Sequence, residues 1–339
     1  MKKNILMITT GGTISCEETS DGLAPSLSAE RILSYVPNIE KICNVKTLEV
    51  CKTDATNITP AHWKKIVRAI EENYNNFDGF VICHGTDTLS YTASALSYMI
   101  QNSNKPIVIT GSQKPINAKI TDAKRNLTDS FIYASDESSE GVNVVFNGKV
   151  IVGTRAKKEN TKSFDAFLSV NYPDKAIIRD GIILRQVVEE SFSDDVKFYY
   201  EMNENVSSLK LFPGVDARIL SYLFINYDCI VIEGFGAGGI PDYLKETFYE
   251  GMNKALKSGK CVVMTTQITN EGSNMLLYEV GRKIKQDFEL IESFDMTFEA
   301  TITKLMWIMG TGERNYTKIR ELFYTKINND IFSSENVSK

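Results

Sequence analysis

The chain has 339 residues, 42% of them hydrophobic and 24% charged, so it can bury a full core and is long enough for two domains. Its formal net charge is −5, and no basic stretch is interleaved with aromatic residues, which argues against a nucleic-acid partner. No apolar run approaches the roughly 18 residues of a membrane-spanning helix, and the run at the start is too short for a signal peptide. We therefore expect a cytoplasmic protein that binds neither nucleic acid nor membrane.

Cysteine and histidine usage narrows the possible chemistry. The six cysteines are scattered without Cys-x-x-Cys spacing, several of them inside apolar runs, as is typical of reduced thiols in a core. His62 and His84 are the only histidines. A His-rich metal site is therefore disfavoured, and a Ser-His-Asp triad would depend on one of two imidazoles.

Short apolar runs alternate with longer helical patterns in the first half of the chain. Buried strands are predicted where β-branched runs are bounded by Gly, Pro or Asn: NILMI, VKTLEV, GFVIC, PIVIT, NVVF and KVIVGT. The segment TPAHWKKIVRAIEENY predicts a helix with Thr59 as its N-cap and Pro60 at its first position, and TLSYTASALSYMIQN predicts a second helix. This alternation predicts a mostly parallel sheet with helices on both faces.

The alternation stops in a polar stretch and then resumes. DCIVIEGF, ETFYEGMNKALKSG, KCVVMTTQI and FEATITKLMWIMG again read as strands and helices. We therefore expect a larger N-terminal α/β domain at 1–190, which would carry the catalytic residues, a connector at 191–212, and a smaller C-terminal α/β domain at 213–339.

Loops that follow predicted strands carry the informative residues: TTGGTIS, CHGTDTLS and TGSQKP. In open parallel sheets, ligands bind where such loops lead into helices. The glycine pair in the first loop permits a tight turn that leaves Thr13 at the rim. The second loop leads into a predicted helix, and the backbone amides at the N-terminus of a helix favour binding of an anion. A glycine pair alone is usually a turn, and Asp87 or Thr88 alone could be a helix cap. Their joint occurrence favours a site for a small acidic molecule, with His84 packed at the strand end rather than acting as a base.

These motifs, together with GTRAKKENTKSFDAFLSVN at 153–171 and DMTFEATITKLMWIMG at 295–310, resemble the bacterial-type L-asparaginases, particularly the cytoplasmic type I branch, along nearly the whole chain. The resemblance implies a flavodoxin-like N-terminal domain and a smaller C-terminal α/β domain. It also implies a homodimer or homotetramer with active sites near subunit contacts, a small amino-acid substrate, and neither metal nor cofactor.

Carried over by motif, the resemblance implies that Thr13 is the nucleophile and that Thr86, Asp87 and Lys158 form a second catalytic cluster. Asp87 would hold the α-amino group of the substrate. The chemistry is consistent, because a threonine hydroxyl needs an adjacent base and a lysine removed from water can serve as one. Backbone amides beside Thr13 and in TGSQ could form an oxyanion hole. Lys157 is a charged neighbour that the motif alone leaves as an alternative to Lys158.

The further substrate-binding residues expected from these motifs are Gly12, Asp54, Ala55, Thr56, Gly85 and Ser112. The chain also departs from the family pattern: Leu23 stands where relatives usually carry a tyrosine, Ala55 where they tend to have a serine, and GFGAGGIP lacks a frequent asparagine. Thr56 could supply the hydroxyl of the missing serine. Tyr278, brought to the site by a subunit contact, could supply the missing phenol, although a tyrosine on a helix is more often simply structural.

Three functions stay open at this point. The favoured one is hydrolysis of L-asparagine to L-aspartate and ammonia. The second is a related amidohydrolase that acts on glutamine or another amide, including the amidase subunit of the archaeal transamidation complex. The third is a non-catalytic binder of acidic amino acids, against which the joint retention of Thr13, Thr86, Asp87 and Lys158 argues.

Overall fold

The computed structural model describes residues 2–20, 22–187, 192 and 194–332, and the chain divides into two compact units, Met1–Tyr200 and Glu201–Lys339. The division falls inside the segment expected as the connector, 191–212. Among the described residues, no helix combines the length and the apolar character needed to cross a bilayer.

The first unit contains the larger sheet. Its strands are β1 (Asn4–Gly11), β2 (Cys16–Thr19), β3 (Gly22–Pro25), β4 (Asn44–Thr53), β5 (Gly79–Cys83), β6 (Ile100–Gln101), β7 (Pro106–Thr110), β8 (Gly141–Phe146), β9 (Lys149–Val152), β10 (Ala156–Lys158), β11 (Phe167–Ser169), β12 (Ala176–Arg179), β13 (Ile182–Arg185) and β14 (Lys197–Phe198). Its helices are α1 (Ala29–Leu33), α2 (Ile39–Ile42), α3 (Pro60–Asn73), α4 (Leu89–Met99) and α5 (Ala123–Ala134).

Eight of these strands form one sheet in the order β13-β12-β9-β8-β7-β5-β1-β4. The pairs from β4 through β1, β5 and β7 to β8 are parallel, and the pairs beyond β8 are antiparallel. From β1 the chain goes first to β4 on one side and then to β5 on the other. This is the flavodoxin-like order, and its topological switch point lies between β1 and β5, where ligands bind in such sheets.

Sequence patterning accounts for the central elements. Every residue of β5 and β7 is buried, as expected for strands covered on both faces. Helix α3 begins at Pro60 as predicted, and the Thr59 backbone N–H donates to His62 Nδ1 at 3.1 Å, which closes its first turn. Its apolar face buries Trp63, Ile66, Val67, Ala69 and Ile70. The predicted mostly parallel α/β sheet is confirmed.

The second unit has its own smaller sheet. Its strands are β15 (Val206–Lys210), β16 (Cys229–Gly234), β17 (Cys261–Thr266) and β18 (Ile291–Glu292), and its helices are α6 (Ala217–Asn226), α7 (Lys245–Lys257), α8 (Glu279–Phe288), α9 (Phe298–Gly310) and α10 (Tyr316–Tyr324). The strands pair in parallel and in sequence order. The smaller α/β domain is therefore confirmed as a fold.

Strand β15 lies inside the stretch that the sequence marked as a connector. It is an edge strand of the second sheet, and only Leu209 in it is buried, so its sequence VSSLK has no apolar run that would predict a strand. Short β14 also comes from that stretch and pairs with β6 in the first unit.

Candidate active site

The loops after β1 and β5 meet through two glycines. Gly12 has φ 76° and ψ 178°, a conformation open essentially only to glycine. A Cβ atom on Gly12 would lie 2.3 Å from the Gly85 Cα, so backbone packs directly on backbone there. Thr13 and Thr86 each come one residue after this contact. The glycine in each predicted loop therefore places the two threonines beside the same contact.

Thr13 opens a short 3₁₀ turn, Thr13–Ser15, and its side chain is half-buried. Its hydroxyl has no hydrogen-bond partner within the part of the chain that the structure describes. The chain then enters the β2–β3 hairpin, where Leu23, at the position of the usual tyrosine, is 58% exposed.

The second predicted cluster assembles around Lys158, the last residue of β10. Lys158 Nζ lies 2.7 Å from Thr86 Oγ1 and 2.6 Å from Asp87 Oδ1. The lysine side chain is 17% exposed, whereas that of Asp87 is 59% exposed. Successive side chains point to opposite faces of a strand, which explains why Lys158, and not the adjacent Lys157, makes these contacts. A partly buried lysine thus joins a hydroxyl to a carboxylate that solutes can reach.

The segment after β4 borders the Gly85 loop. Asp54 accepts hydrogen bonds from the Thr56 backbone N–H at 2.8 Å and from Thr56 Oγ1 at 2.6 Å, and these bonds lower the pKa of the Asp54 carboxyl. Ala55 is buried, and its carbonyl accepts from Thr88 Oγ1 at 2.7 Å. A Cβ atom on Gly85 would lie 2.5 Å from the Ala55 Cβ. The Ala55 methyl group therefore packs on the loop that carries Thr86.

The hydroxyl of Thr56 is already engaged. It donates its proton to Asp54, and the residue is exposed. For Thr56 to replace the missing serine, this hydrogen bond would first have to break. Its substrate-binding role stays a prediction, and this contact is a physical argument against it.

His84 is buried behind the same loop. Its Nδ1 lies 2.7 Å from the Gly85 carbonyl, and its Nε2 lies 3.0 Å from Thr92 Oγ1, which accepts a hydrogen bond from Trp63 Nε1 at 2.9 Å. A carbonyl can only accept a hydrogen bond, so His84 Nδ1 carries the proton and donates it to Gly85. An indole N–H can only donate, so Thr92 Oγ1 accepts from Trp63 and uses its own proton to donate to His84 Nε2. Burial lowers the pKa of His84 to about 4. A neutral imidazole that supports the loop fits the expectation of a packed strand-end histidine.

The loop after β7 completes the surroundings of Thr86. A Cβ atom on Gly111 would lie 2.2 Å from the His84 carbonyl oxygen, so this loop packs on the one before it. Ser112 is buried, and its hydroxyl donates to the Lys114 carbonyl at 2.6 Å within its own loop. The next residue, Gln113, accepts a hydrogen bond from Thr86 Oγ1 at 3.3 Å.

Gln113 was missed as a site residue. The motif TGSQ contains it, but nothing in the sequence indicates that its amide rather than the Ser112 hydroxyl reaches Thr86. Tyr278, in contrast, belongs to the second unit, where it precedes α8 and is 69% exposed. Its suggested approach to Thr13 stays a prediction.

No group of three or more His, Cys, Asp or Glu side chains suited to a metal occurs among the residues that the structure describes. The polar groups at the switch point include the hydroxyls of Thr13 and Thr86, the Lys158 amine, the Asp87 carboxylate and loop amides. Such a set can bind an amino acid and transfer an acyl group.

Comparison with known proteins identifies the family. The model of the N-terminal asparaginase domain matches residues 4–188, and that of the glutaminase/asparaginase C-terminal domain matches residues 205–323. The chain belongs to the asparaginase family. The two matched ranges contain the larger and the smaller sheet respectively, so asparaginase-family sequence runs through both units.

Similarity to individual proteins supports the same family. The L-asparaginase of Thermococcus kodakarensis is 38% identical over 331 residues, which cover 97% of this chain and 99% of that protein. The solved structure of the L-asparaginase from this organism, which is described as a thermostable enzyme, superposes on this chain with a TM-score of 0.91. The match covers 98% of this chain and 100% of the chain in that structure. L-asparaginase I from Vibrio cholerae has a TM-score of 0.86 at 26% identity, with 98% of this chain and 100% of that chain covered.

A second group of relatives has a different name. A glutamyl-tRNA(Gln) amidotransferase subunit of Methanococcus maripaludis strain C5 is 34% identical over 352 residues, covering 99% of this chain and 82% of that protein. Membership in the asparaginase family makes this chain an amidohydrolase, an enzyme that cleaves a C–N amide bond. It does not by itself select the amide.

Proposed function

We propose that this enzyme hydrolyses L-asparagine to L-aspartate and ammonia, with Thr13 as the nucleophile and without a metal or cofactor. The observation that carries the proposal is the Lys158–Thr86–Asp87 cluster beside the Gly12–Gly85 contact at the switch point of the sheet. The 38% identity to an L-asparaginase over almost the full length of both chains supports the choice of substrate.

Substrate binding would centre on Asp87. Its carboxylate is mostly exposed and can take the α-ammonium group of an amino acid while one oxygen remains near Lys158. The substrate carboxylate would lie among loop amides near the start of α4, which has no acidic residue in its first turn. Because Ala55 offers no hydroxyl, this carboxylate would depend on backbone donors.

The reaction would proceed in two steps. Thr13 Oγ attacks the side-chain amide carbon and gives up its hydroxyl proton, and the carbonyl oxygen becomes an oxyanion. The oxyanion collapses and expels ammonia once that proton has reached the amide nitrogen, which leaves an ester on Thr13. A water molecule oriented by Thr86 and Lys158 then cleaves this ester, which releases aspartate and restores the Thr13 hydroxyl. Loop amides beside Thr13 would stabilise the oxyanion, a contribution of about 3 to 4 kcal/mol for each donor.

The experiment that tests this proposal is ammonia release from purified protein over L-asparagine, L-glutamine and D-asparagine, with Thr86→Val as the blank. Turnover of L-asparagine that the blank lacks would support the proposal. Preference for L-glutamine would favour the second candidate, for which the 34% identity to an amidotransferase component is the specific observation. Absence of turnover despite aspartate binding by calorimetry would favour an acidic amino-acid binder.

Assembly and location belong to the same proposal. We propose a cytoplasmic homodimer or homotetramer in which Tyr278 of a second copy approaches Thr13, whose hydroxyl lacks a partner among the described residues. Light scattering of the purified protein measures the oligomer. Unchanged kinetics in Tyr278→Phe would exclude a role for its phenol in the reaction.

A further inference from the structure

The Gln113 side chain is held in one orientation. Its Nε2 donates to the backbone carbonyls of Asn160 at 3.0 Å and Ser163 at 3.1 Å. Carbonyls only accept hydrogen bonds, so the amide nitrogen must face these two groups and Oε1 must face Thr86. The two donated bonds therefore exclude the flipped amide, which would place an N–H next to Thr86.

The backbone of Gln113 is fixed as well. Its N–H donates to both oxygens of Asp122, at 3.1 and 2.9 Å, and Asp122 is buried. The same carboxylate accepts from the Lys114 backbone N–H and from Asn126 Nδ2, each at 3.2 Å. Gln113 thus joins the hydrogen-bonded loop after β7 to the exposed segment 160–163, which begins two residues after Lys158.

Thr86 has one hydroxyl proton and two neighbours that compete for it. Lys158 Nζ lies 2.7 Å from Thr86 Oγ1, and Gln113 Oε1 lies 3.3 Å from it. While the lysine is an ammonium group it donates to Thr86, and the Thr86 proton then goes to Gln113. Only when the lysine has lost a proton can Thr86 donate to it. The hydroxyl therefore has two orientations, and Gln113 stabilises the one in which the lysine is charged.

We propose that Gln113 is a positioning residue that holds the Thr86 hydroxyl proton away from Lys158 and thereby sets the pH above which the threonine–lysine pair becomes active. This inference rests on the proposed function, since it assigns a task within the same site. Gln113 touches Thr86 and not the reacting atoms. No covalent step is added, because only the orientation of one hydroxyl changes.

Other charged groups near the pair stay the same when Gln113 is replaced. Asp87 is ion-paired with Lys158 at 2.6 Å, Asp122 lies behind the Gln113 backbone, and Asp165 is paired with Lys149 at 2.8 Å. Helix α4 has no ionisable Asp, Glu, Lys, Arg or His side chain, and β11 has none either. A shift in pH dependence on replacing Gln113 then comes either from its contact with Thr86 or from the order of segment 160–163, and the control below separates the two.

The test compares two replacements that predict opposite signs. Gln113→Met has a similar length and no amide, so the acidic limb of the pH profile of kcat/KM should move to lower pH by about half a unit, the size of one lost neutral hydrogen bond. Gln113→Glu keeps an oxygen beside Thr86 and adds a negative charge, so the limb should move to higher pH. A role in loop packing alone would lower kcat in both variants without opposite shifts.

Asn160→Ala is the matched control. It removes the bond from Asn160 Nδ2 to the Asp165 carbonyl, 2.9 Å, and loosens the segment while keeping the backbone carbonyls that Gln113 uses. We expect its acidic limb to coincide with that of the wild type. A shift equal to that of Gln113→Met would overturn the inference, because segment order alone would then explain it.

A second readout does not depend on turnover. In protein labelled with ¹³C at the lysine ε position, Lys158→Met identifies the Lys158 resonance, and its titration midpoint should be lower in Gln113→Met and higher in Gln113→Glu than in the wild type. Identical midpoints in the three proteins would refute the inference even if asparagine is hydrolysed. Shifted midpoints in a protein that releases no ammonia would leave the inference standing and remove the proposed function.

Discussion

Two threonine loops meet at the switch point, and they differ in how completely each is organised. The Thr86 hydroxyl is held between Lys158 and Gln113, and the imidazole of His84 supports its loop from behind. The Thr13 hydroxyl has no partner in the described portion of the chain, and an exposed hairpin follows it. One loop is a preorganised polar network, whereas the other presents a hydroxyl that still needs a proton acceptor.

The difference indicates which part of the chemistry a single chain completes. Preorganised donors and charges act without rearrangement during reaction, so a hydrogen-bonded network such as that of Thr86 is catalytically valuable. A nucleophile on a less constrained loop can instead respond to substrate. In the proposed mechanism, Thr13 would become reactive only when substrate or a second copy supplies the missing neighbour.

The largest expected effect is the loss of activity when either threonine is replaced. Thr13→Val and Thr86→Val should each lower kcat by at least about a thousandfold. Their stabilities should differ: Thr86→Val removes the hydroxyl that Lys158 Nζ and Gln113 Oε1 contact and should lower the free energy of unfolding by about 1 to 2 kcal/mol. Thr13→Val should change it by no more than about 0.5 kcal/mol. Ammonia assays and urea denaturation measure both quantities, and equal destabilisation would contradict the contrast.

The second largest effect is expected at the Gly12–Gly85 contact, which joins the two loops. Gly12→Ala should destabilise the protein by about 3 kcal/mol or more, because its conformation is strained for alanine and its Cβ would overlap the Gly85 backbone. Gly22→Ala is the control: φ is +116°, but a Cβ there would meet nothing within 4 Å. Gly22→Ala should lower the free energy of unfolding by only about 1 kcal/mol, the cost of backbone strain alone. Equal losses in urea denaturation would show that packing at Gly85 contributes little.

The smallest expected effect is a pH-dependent loss of stability caused by His84, which supports the Thr86 loop. The folded-state pKa of His84 is about 4, below the ordinary value of 6.5, so the unfolded chain gains a proton first as the pH falls. Stability from this group is complete above pH 6.5 and decreases until the pH reaches about 4. Between pH 7.5 and 5 the loss should be about 2 kcal/mol.

His84→Gln is the comparison for this pH effect. The variant will be less stable at every pH because it alters the bonds to Gly85 and Thr92. Its unfolding free energy should nevertheless fall less steeply between pH 7.5 and 5 than that of the wild type. Parallel curves from denaturation at several pH values would show that His84 does not carry the difference.

Sequence patterning predicted the elements that bury continuous apolar runs, such as β5, β7 and helix α3. It did not predict the two-stranded pairs β2–β3 and β10–β11, since three or four residues of mixed polarity show no clear period. Strand β15 was not predicted either, because its five residues, VSSLK, contain no apolar run. The missed elements matter here, because β10 delivers Lys158 to Thr86.

The sequence alone determined the sheet class, the glycine turns and the threonines that follow them, because apolar periodicity and glycine's conformational range are local properties. Only the tertiary structure decided that Lys158 contacts Thr86, that Gln113 rather than Ser112 faces it, and that Thr56 is engaged by Asp54. These pairings join loops after different strands or depend on the direction of one hydroxyl. Side-chain reach and hydrogen-bond competition set them, and neither leaves a periodic trace in the sequence.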